Sequence, residues 1–287
     1  MEITLGLVAA LAWGVGDFLA RETGRRLGPF RAMLGTNLVG GLALTAWLLP
    51  AGDLDPARLV SAAGVTAAAG TAVMLGAGLL FYRALIVGHL ALVAPIGASF
   101  AAVPVALALL TGDRPAPVQL AGIAVTFAGV VLAATVPGPG LSQLRAPWRA
   151  PGVVEAVGAA VLSGLGFWVL SRSTPDLGGP VMLWLARLTI IAYLLLLAAP
   201  LRQPVAIPAG AHWWWLAPVG LLDTLATGAY TVGLAGPAPS VVAILGSLFS
   251  AVTVLLAYVV LRERLARWQW AGVAVILVGV ALVSWRS

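Results

Sequence analysis

Residues 119–132 read QLAGIAVTFAGVVL, and residues 269–282 read QWAGVAVILVGVAL. Eight of these fourteen positions are identical, among them Gln119/Gln269, Gly122/Gly272 and Gly129/Gly279, all at one offset of 150 residues. The same offset lays Asp113-Arg114 on Glu263-Arg264, and Gly14 and Gly16 on Gly164 and Gly166. Apolar stretches rich in Ala, Val and Gly match one another by chance. A shared Gln, a charge pair and paired glycines at a single offset mark a duplication.

Each copy is a string of apolar stretches. Of 287 residues, 61% are hydrophobic and 9% charged, and the mean hydropathy is +1.03. A soluble domain carries roughly 25% charged residues, so a water-soluble globule, a disordered chain and a disulfide-stapled module are all excluded. Cysteine is absent, and redox compartment cannot be read from it. The charges act as punctuation: none falls between Arg31 and Asp53, Arg58 and Arg83, Arg83 and Asp113, or Arg114 and Arg145. A spanning helix needs about 20 mostly apolar residues, so each gap holds one span. Thr224–Leu261 is too long for one helix and is divided at Gly236-Pro237-Ala238-Pro239, because proline lacks an N–H and disfavours helix in the residue before it.

The rule gives ten spans, approximately 3–20, 31–49, 62–82, 89–110, 118–136, 153–170, 180–199, 213–234, 239–261 and 268–285. Met1-Glu2 is not a basic leader, so span 1 is expected to be a retained helix. Each duplicated unit holds five spans, and five is odd. The second unit therefore enters the bilayer from the opposite side. The expected fold is an all-α polytopic membrane protein of ten transmembrane helices, arranged as two inverted five-helix repeats over 1–137 and 152–287 with a connecting loop at 138–151. Inverted repeats put the substrate path at the midplane between the halves.

The chain resembles the drug/metabolite transporter superfamily and, within it, the EamA-type family. The resemblance rests on Ala12-Trp13-Gly14 in span 1, Ala94-Pro95 and Pro104 in span 4, and Leu261-Arg262-Glu263-Arg264-Leu265 with Trp270-Ala271-Gly272 before span 10. It covers nearly the whole chain. The first copy departs from the pattern with Gly112-Asp113-Arg114-Pro115. The resemblance implies a ten-span inner-membrane permease exporting amino acids, metabolites or drugs, and carries no catalytic set.

Gly122 and Gly129, like Gly272 and Gly279, lie seven apart and so share one helix face. Small residues there let helix backbones approach closely, and packing is their expected role. Pro95 and Pro104 free carbonyls that are tolerated where they face protein or a water-filled path; span 9 instead carries Ser240, Ser247, Ser250 and Thr253.

Ionisable residues at bilayer depth carry the sharpest functional information. Asp223 falls near the middle of span 8, Arg187 near the middle of span 7, and Asp17 toward the end of span 1. A charge there costs at least ~2.5–3.5 kcal/mol, so it should face a cavity or a partner. Asp17 and Asp223 are expected to line a central cavity and bind a cation or proton, with Arg187 holding an anionic group or countering Asp223. A purely structural Arg187–Asp223 pair is the competing reading. Asn37, the sole asparagine, either joins helices or faces the cavity. Trp13, Trp168, Trp184 and Tyr230 lie inside spans and form a candidate solute-facing wall, together with Tyr193. Trp213-Trp214-Trp215, Trp268, Trp270 and Trp285 sit at span ends as interface anchors. Glu155, Arg83 and Arg172 read as snorkelling interface residues. His89 and His212 are isolated and terminal, which gives no metal site.

The net charge is +6 and every basic residue is arginine. These arginines form no clustered face for nucleic acid, and anionic headgroups suffice as partners. Eleven follow odd-numbered spans and only four flank even ones. Positive-inside logic then puts both termini outside the cytoplasm, whereas the family resemblance puts both inside. No metalloprotease, nucleophile-elbow or nucleotide-binding motif is present. The expected activity is secondary transport of a small solute by alternating access in the cell membrane, with no cofactor expected and coupling to a proton or cation gradient as the energy source. Expected partners are the small-molecule solute and membrane lipids, with the chain a monomer or weak homodimer. A lipid-linked flippase of the same fold is the alternative, and a membrane-embedded lipid-modifying enzyme a more distant one.

Overall fold

The computed structural model describes residues 1–52, 56–103, 106–107, 116–134, 150–210, 212–234, 242, 245–246 and 248–283. The ten principal helices are α1 (Glu2–Leu27), α2 (Pro29–Ala51), α3 (Ala62–Val87), α4 (Leu90–Ala98, tightening into a 3₁₀ turn at Ser99–Ala101), α5 (Pro117–Ala134), α6 (Val153–Ser171), α7 (Gly179–Ala198), α8 (Trp213–Leu234), α9 (Phe249–Val259) and α10 (Arg267–Val283). Single turns at Pro56–Leu59 and Thr174–Leu177 precede α3 and α7. Each principal helix falls on one of the ten spans read from the sequence. The described residues contain five helices long and apolar enough to cross a membrane, with shorter apolar helices beside them. The protein is thus an all-α polytopic membrane protein. Pro104, Asp113, most of the inter-repeat loop, Pro237, Pro239, Ser240, Ser247 and Trp285 lie outside the described residues.

Local chemistry repeats with the sequence. Ala116 N–H donates to Gln119 Oε1 at 2.9 Å, and Ala266 N–H donates to Gln269 Oε1 at 3.0 Å. The duplicated glutamine therefore satisfies an orphan donor at the start of α5 and again of α10. Gly28 and Gly178, also 150 apart, adopt φ 80° and 75°. That left-handed region, open to glycine, turns the chain from α1 into α2 and from the Thr174–Leu177 turn into α7.

The helices alternate in direction, so odd-numbered helices finish at the arginine-rich end of the bundle. Close packing joins the halves rather than separating them. The helix α5 packs on α10, α2 on α7 and α4 on α9, each against its own repeat mate. The remaining intimate pairs come in exchanged sets, α1 with α8 and α3 with α6, then α2 with α8 and α3 with α7, then α1 with α9 and α4 with α6. In the α5–α10 seam a Cβ on Gly129 would stand 2.6 Å from Ile276 N, and one on Gly279 would stand 2.5 Å from Thr126 N. These glycines allow backbone-to-backbone approach, the packing role expected of them.

α1 differs from expectation in length. It continues through Arg21, Glu22, Arg25 and Arg26, held by an Arg26–Glu22 pair at 2.7 Å one turn apart, and stops at Gly28. Asp17 consequently lies within three residues of the helix midpoint, deeper than the shorter span placed it.

Candidate functional site

A polar centre forms where α2 and α7 cross. Asn37 and Arg187 occupy the same position of the two repeats, and they meet. Arg187 Nη1 donates to Asn37 Oδ1 at 3.3 Å, while Asn37 Nδ2 donates to Met33 O at 2.8 Å. The second bond fixes the amide with its oxygen toward the guanidinium. Arg187 Nη2 donates to Asp223 Oδ2 of α8 in a salt bridge. Arg187 is 8% exposed, whereas the Asp223 side chain is 37% exposed. The guanidinium is sealed between helices, while the carboxylate side chain stays partly exposed. Gly40, one turn beyond Asn37, makes room for the guanidinium, since a Cβ there would lie 3.3 Å from Arg187 Nε.

α1 and α3 complete the centre. Asp17 lies within electrostatic reach of Asp223, and no arginine pairs with Asp17 among the described residues. The Tyr82 ring of α3 lies in the field of Asp17, Asp223 and Arg187, and its hydroxyl is 3.2 Å from Thr36 Oγ1. Five helices from both repeats thus converge on two carboxylates and one guanidinium. Of the two carboxyl groups, Asp223 alone pairs with a basic side chain among the described residues.

An aromatic wall stands beside the carboxylates. Trp13 is one turn before Asp17 on α1, and Tyr230 two turns after Asp223 on α8. The two helices run antiparallel, so both rings lie on the same side of the carboxylates. Trp13 packs 5.1 Å from Tyr230 and 5.8 Å from Phe249, ring centre to ring centre.

The other two tryptophans lie elsewhere. Trp184 donates from Nε1 to Thr45 Oγ1 at 2.8 Å and packs with Leu44, Leu48 and Leu183 in the α2–α7 seam. Trp168 lies under the Arg172 guanidinium, 4.0 Å from the ring centre, at the end of α6. Tyr193 donates to Ala68 O at 3.1 Å. Arg83 pairs with Glu155 at 3.2 Å across the α3–α6 ends. Among the described residues no group of three metal-ligating side chains occurs.

Tyr82 and Thr36 escaped the sequence reading. Residue 82 seemed to close span 3, where an aromatic is an ordinary interface residue, but α3 runs on to Val87 and draws Tyr82 inward. The Asn37–Arg187 contact had a signal in the sequence: both positions stood out as polar, and they are one repeat apart.

These features define an integral membrane protein built by duplication around a buried polar centre. The EamA-like transporter family matches residues 1–135 and again 150–285, and the chain belongs to that family. It is accordingly a membrane protein of the drug/metabolite transporter type. A solved structure, described only as "Crystal structure of protein", aligns with a TM-score of 0.68 at 22% identity over 98% of this chain and 94% of that one. That likeness shows the fold alone. No curated protein matches the chain by sequence.

Proposed function

We propose that the protein is a secondary transporter of a small cationic or amphipathic solute, working by alternating access through the path between its repeats. The observation that carries this reading is the polar centre on α1, α2, α3, α7 and α8. It holds a carboxyl group, Asp17, without a basic partner among the described residues at mid-helix depth, where an unpaired charge is costly unless a ligand or proton neutralises it. Asp17 and Asp223 bind the cationic group or the coupling proton. Arg187 is already engaged by Asn37 and Asp223, so it orients the Asp223 carboxylate rather than binding an anion. Trp13, Tyr230 and Phe249 receive the apolar part of the solute, and aromatic faces also attract a cation. The carboxylate exposure of Asp223 favours a solute path over a groove for a lipid headgroup.

Flux of organic cations, amino acids and neutral metabolites in proteoliposomes, with and without a pH gradient, tests the reading. Cation flux should depend on Asp17 and Asp223, and both Asp17→Asn and Asp223→Asn should abolish it. Retained flux in both variants at every pH, with the proteins folded, would overturn the cation site.

A further inference from the structure

Outside the polar centre, a further buried carboxylate is that of Glu263, in the turn between α9 and α10. Its Oε2 accepts the N–H of Ala91 at 3.0 Å, at the start of α4. Its Oε1 lies 3.1 Å from Nη1 of Arg21 on α1. Arg21 in turn donates from Nε to Leu85 O at 3.1 Å, near the end of α3. Two side chains thereby tie α1, α3, α4 and the α9–α10 turn together at the arginine-rich end. Both are largely buried, at 15% and 8% side-chain exposure, so the pair is not a solvated surface contact of negligible worth. Arg262 adopts φ 55°, an uncommon left-handed conformation for a side-chain-bearing residue, and this turns Glu263 back onto the bundle. Beneath the pair Leu85, Leu90, Leu92, Val153 and Ala257 are fully buried. Gly152 meets Gly88 so closely that a Cβ on Gly152 would stand 2.8 Å from the Gly88 Cα. This end of the bundle is shut.

The repeat shows what happens to such a contact when the halves exchange conformations, as inverted repeats do in alternating access. A contact between residues 150 apart, such as Asn37–Arg187, maps onto itself and persists. The Arg21–Glu263 contact instead maps onto positions 171 and 113, which carry Ser171 and Asp113. The mirror-related end therefore has no cation at the place of Arg21. The neighbouring Arg172 lies over Trp168.

We infer that Arg21 and Glu263 form a one-sided latch that holds the arginine-rich end closed, and that must break for that end to open. Closing this end gains a buried ion pair and a capped α4, whereas at the other end the position matching Arg21 carries Ser171, which supplies no cation. The resting protein is biased toward the state seen here. This inference rests on the alternating-access reading, and its test separates the two.

The cysteine-free chain allows single reporters: Ala20→Cys and Ala156→Cys under the latch, and Ala63→Cys at the opposite end. All three sites are buried. Their labelling by a maleimide in proteoliposomes reports which end is open. Glu263→Gln keeps an acceptor for Ala91 N–H and removes the charge, and Arg21→Gln removes the partner. Each should raise labelling at residues 20 and 156 roughly tenfold, as a lost buried pair shifts a two-state equilibrium, while labelling at 63 stays level or falls. The reversed pair R21E/E263R should restore slow labelling. Unchanged labelling in both single variants overturns the latch, as does a parallel rise at all three sites, which signals general loosening. Solute flux in the same vesicles discriminates further: shifted labelling with no flux of any solute in the unmodified protein defeats the transport reading and leaves the latch standing.

Discussion

Asp223 holds the exposed half of an ion pair whose other half is sealed between helices, and this inequality sets what substitution does. Asp223→Asn leaves Arg187 buried without a counter-charge. Breaking a fully buried pair costs about 3–5 kcal/mol, and with Asp223 more than a third exposed the loss should be on the order of 2 kcal/mol. A lowered unfolding temperature in detergent, alongside lost cation flux, would show it; an unchanged melting temperature would mean that Arg187 is satisfied by Asn37 alone. Trp184 gives the contrasting case. Its indole bonds Thr45 in the helix seam, so Trp184→Phe should cost about 1 kcal/mol of stability and leave solute preference unaltered. A changed preference would bring Trp184 back to the solute wall. At this scale the sequence showed which residues are expensive in lipid. It did not show Tyr82 beside Thr36 or Trp184 on Thr45, because those partners lie 46 and 139 positions away and meet only through helix crossing.

Helix identity and direction were legible because a span needs a fixed run of apolar residues, and the duplicated glutamine even marks where α5 and α10 begin. Helix ends were less so. Arg21 through Arg26 read as a loop, yet Glu22–Arg26 pairing and good helix formers carry α1 onward to Gly28. Pro95 within α4 is followed by the 3₁₀ turn at Ser99–Ala101, so the helix tightens in the turn after the proline. The α5–α10 seam makes the element-scale prediction. Gly129→Val or Gly279→Val inserts side-chain atoms against facing backbone and should cost about 1–3 kcal/mol or more, seen as reduced yield of monodisperse protein. Gly28→Ala would meet no neighbour but must hold φ 80°, so a smaller loss of about 1 kcal/mol is expected, read as a modest drop in unfolding temperature.

Taken whole, the molecule is two sequence units wound into one bundle. α1 packs on α8 and α9, and α3 on α6 and α7, so each half finds its main partners in the other. A chain ending at residue 149 should therefore be protease-sensitive, and co-expression with residues 150–287 should restore a protected, co-purifying complex. Recovery of a protected first half alone would contradict the interwound packing. The sequence by itself determined the ten spans, the duplication and the inversion, because hydrophobic length and an odd span count are properties of the chain read along one dimension. Only the tertiary structure decided that Asn37 meets Arg187, that Tyr82 meets Thr36, and that Glu263 reaches back to Arg21 and Ala91. In lipid an unpaired polar group is costly wherever it lies, so the sequence reveals the need for a partner, while the crossing of helices selects which one.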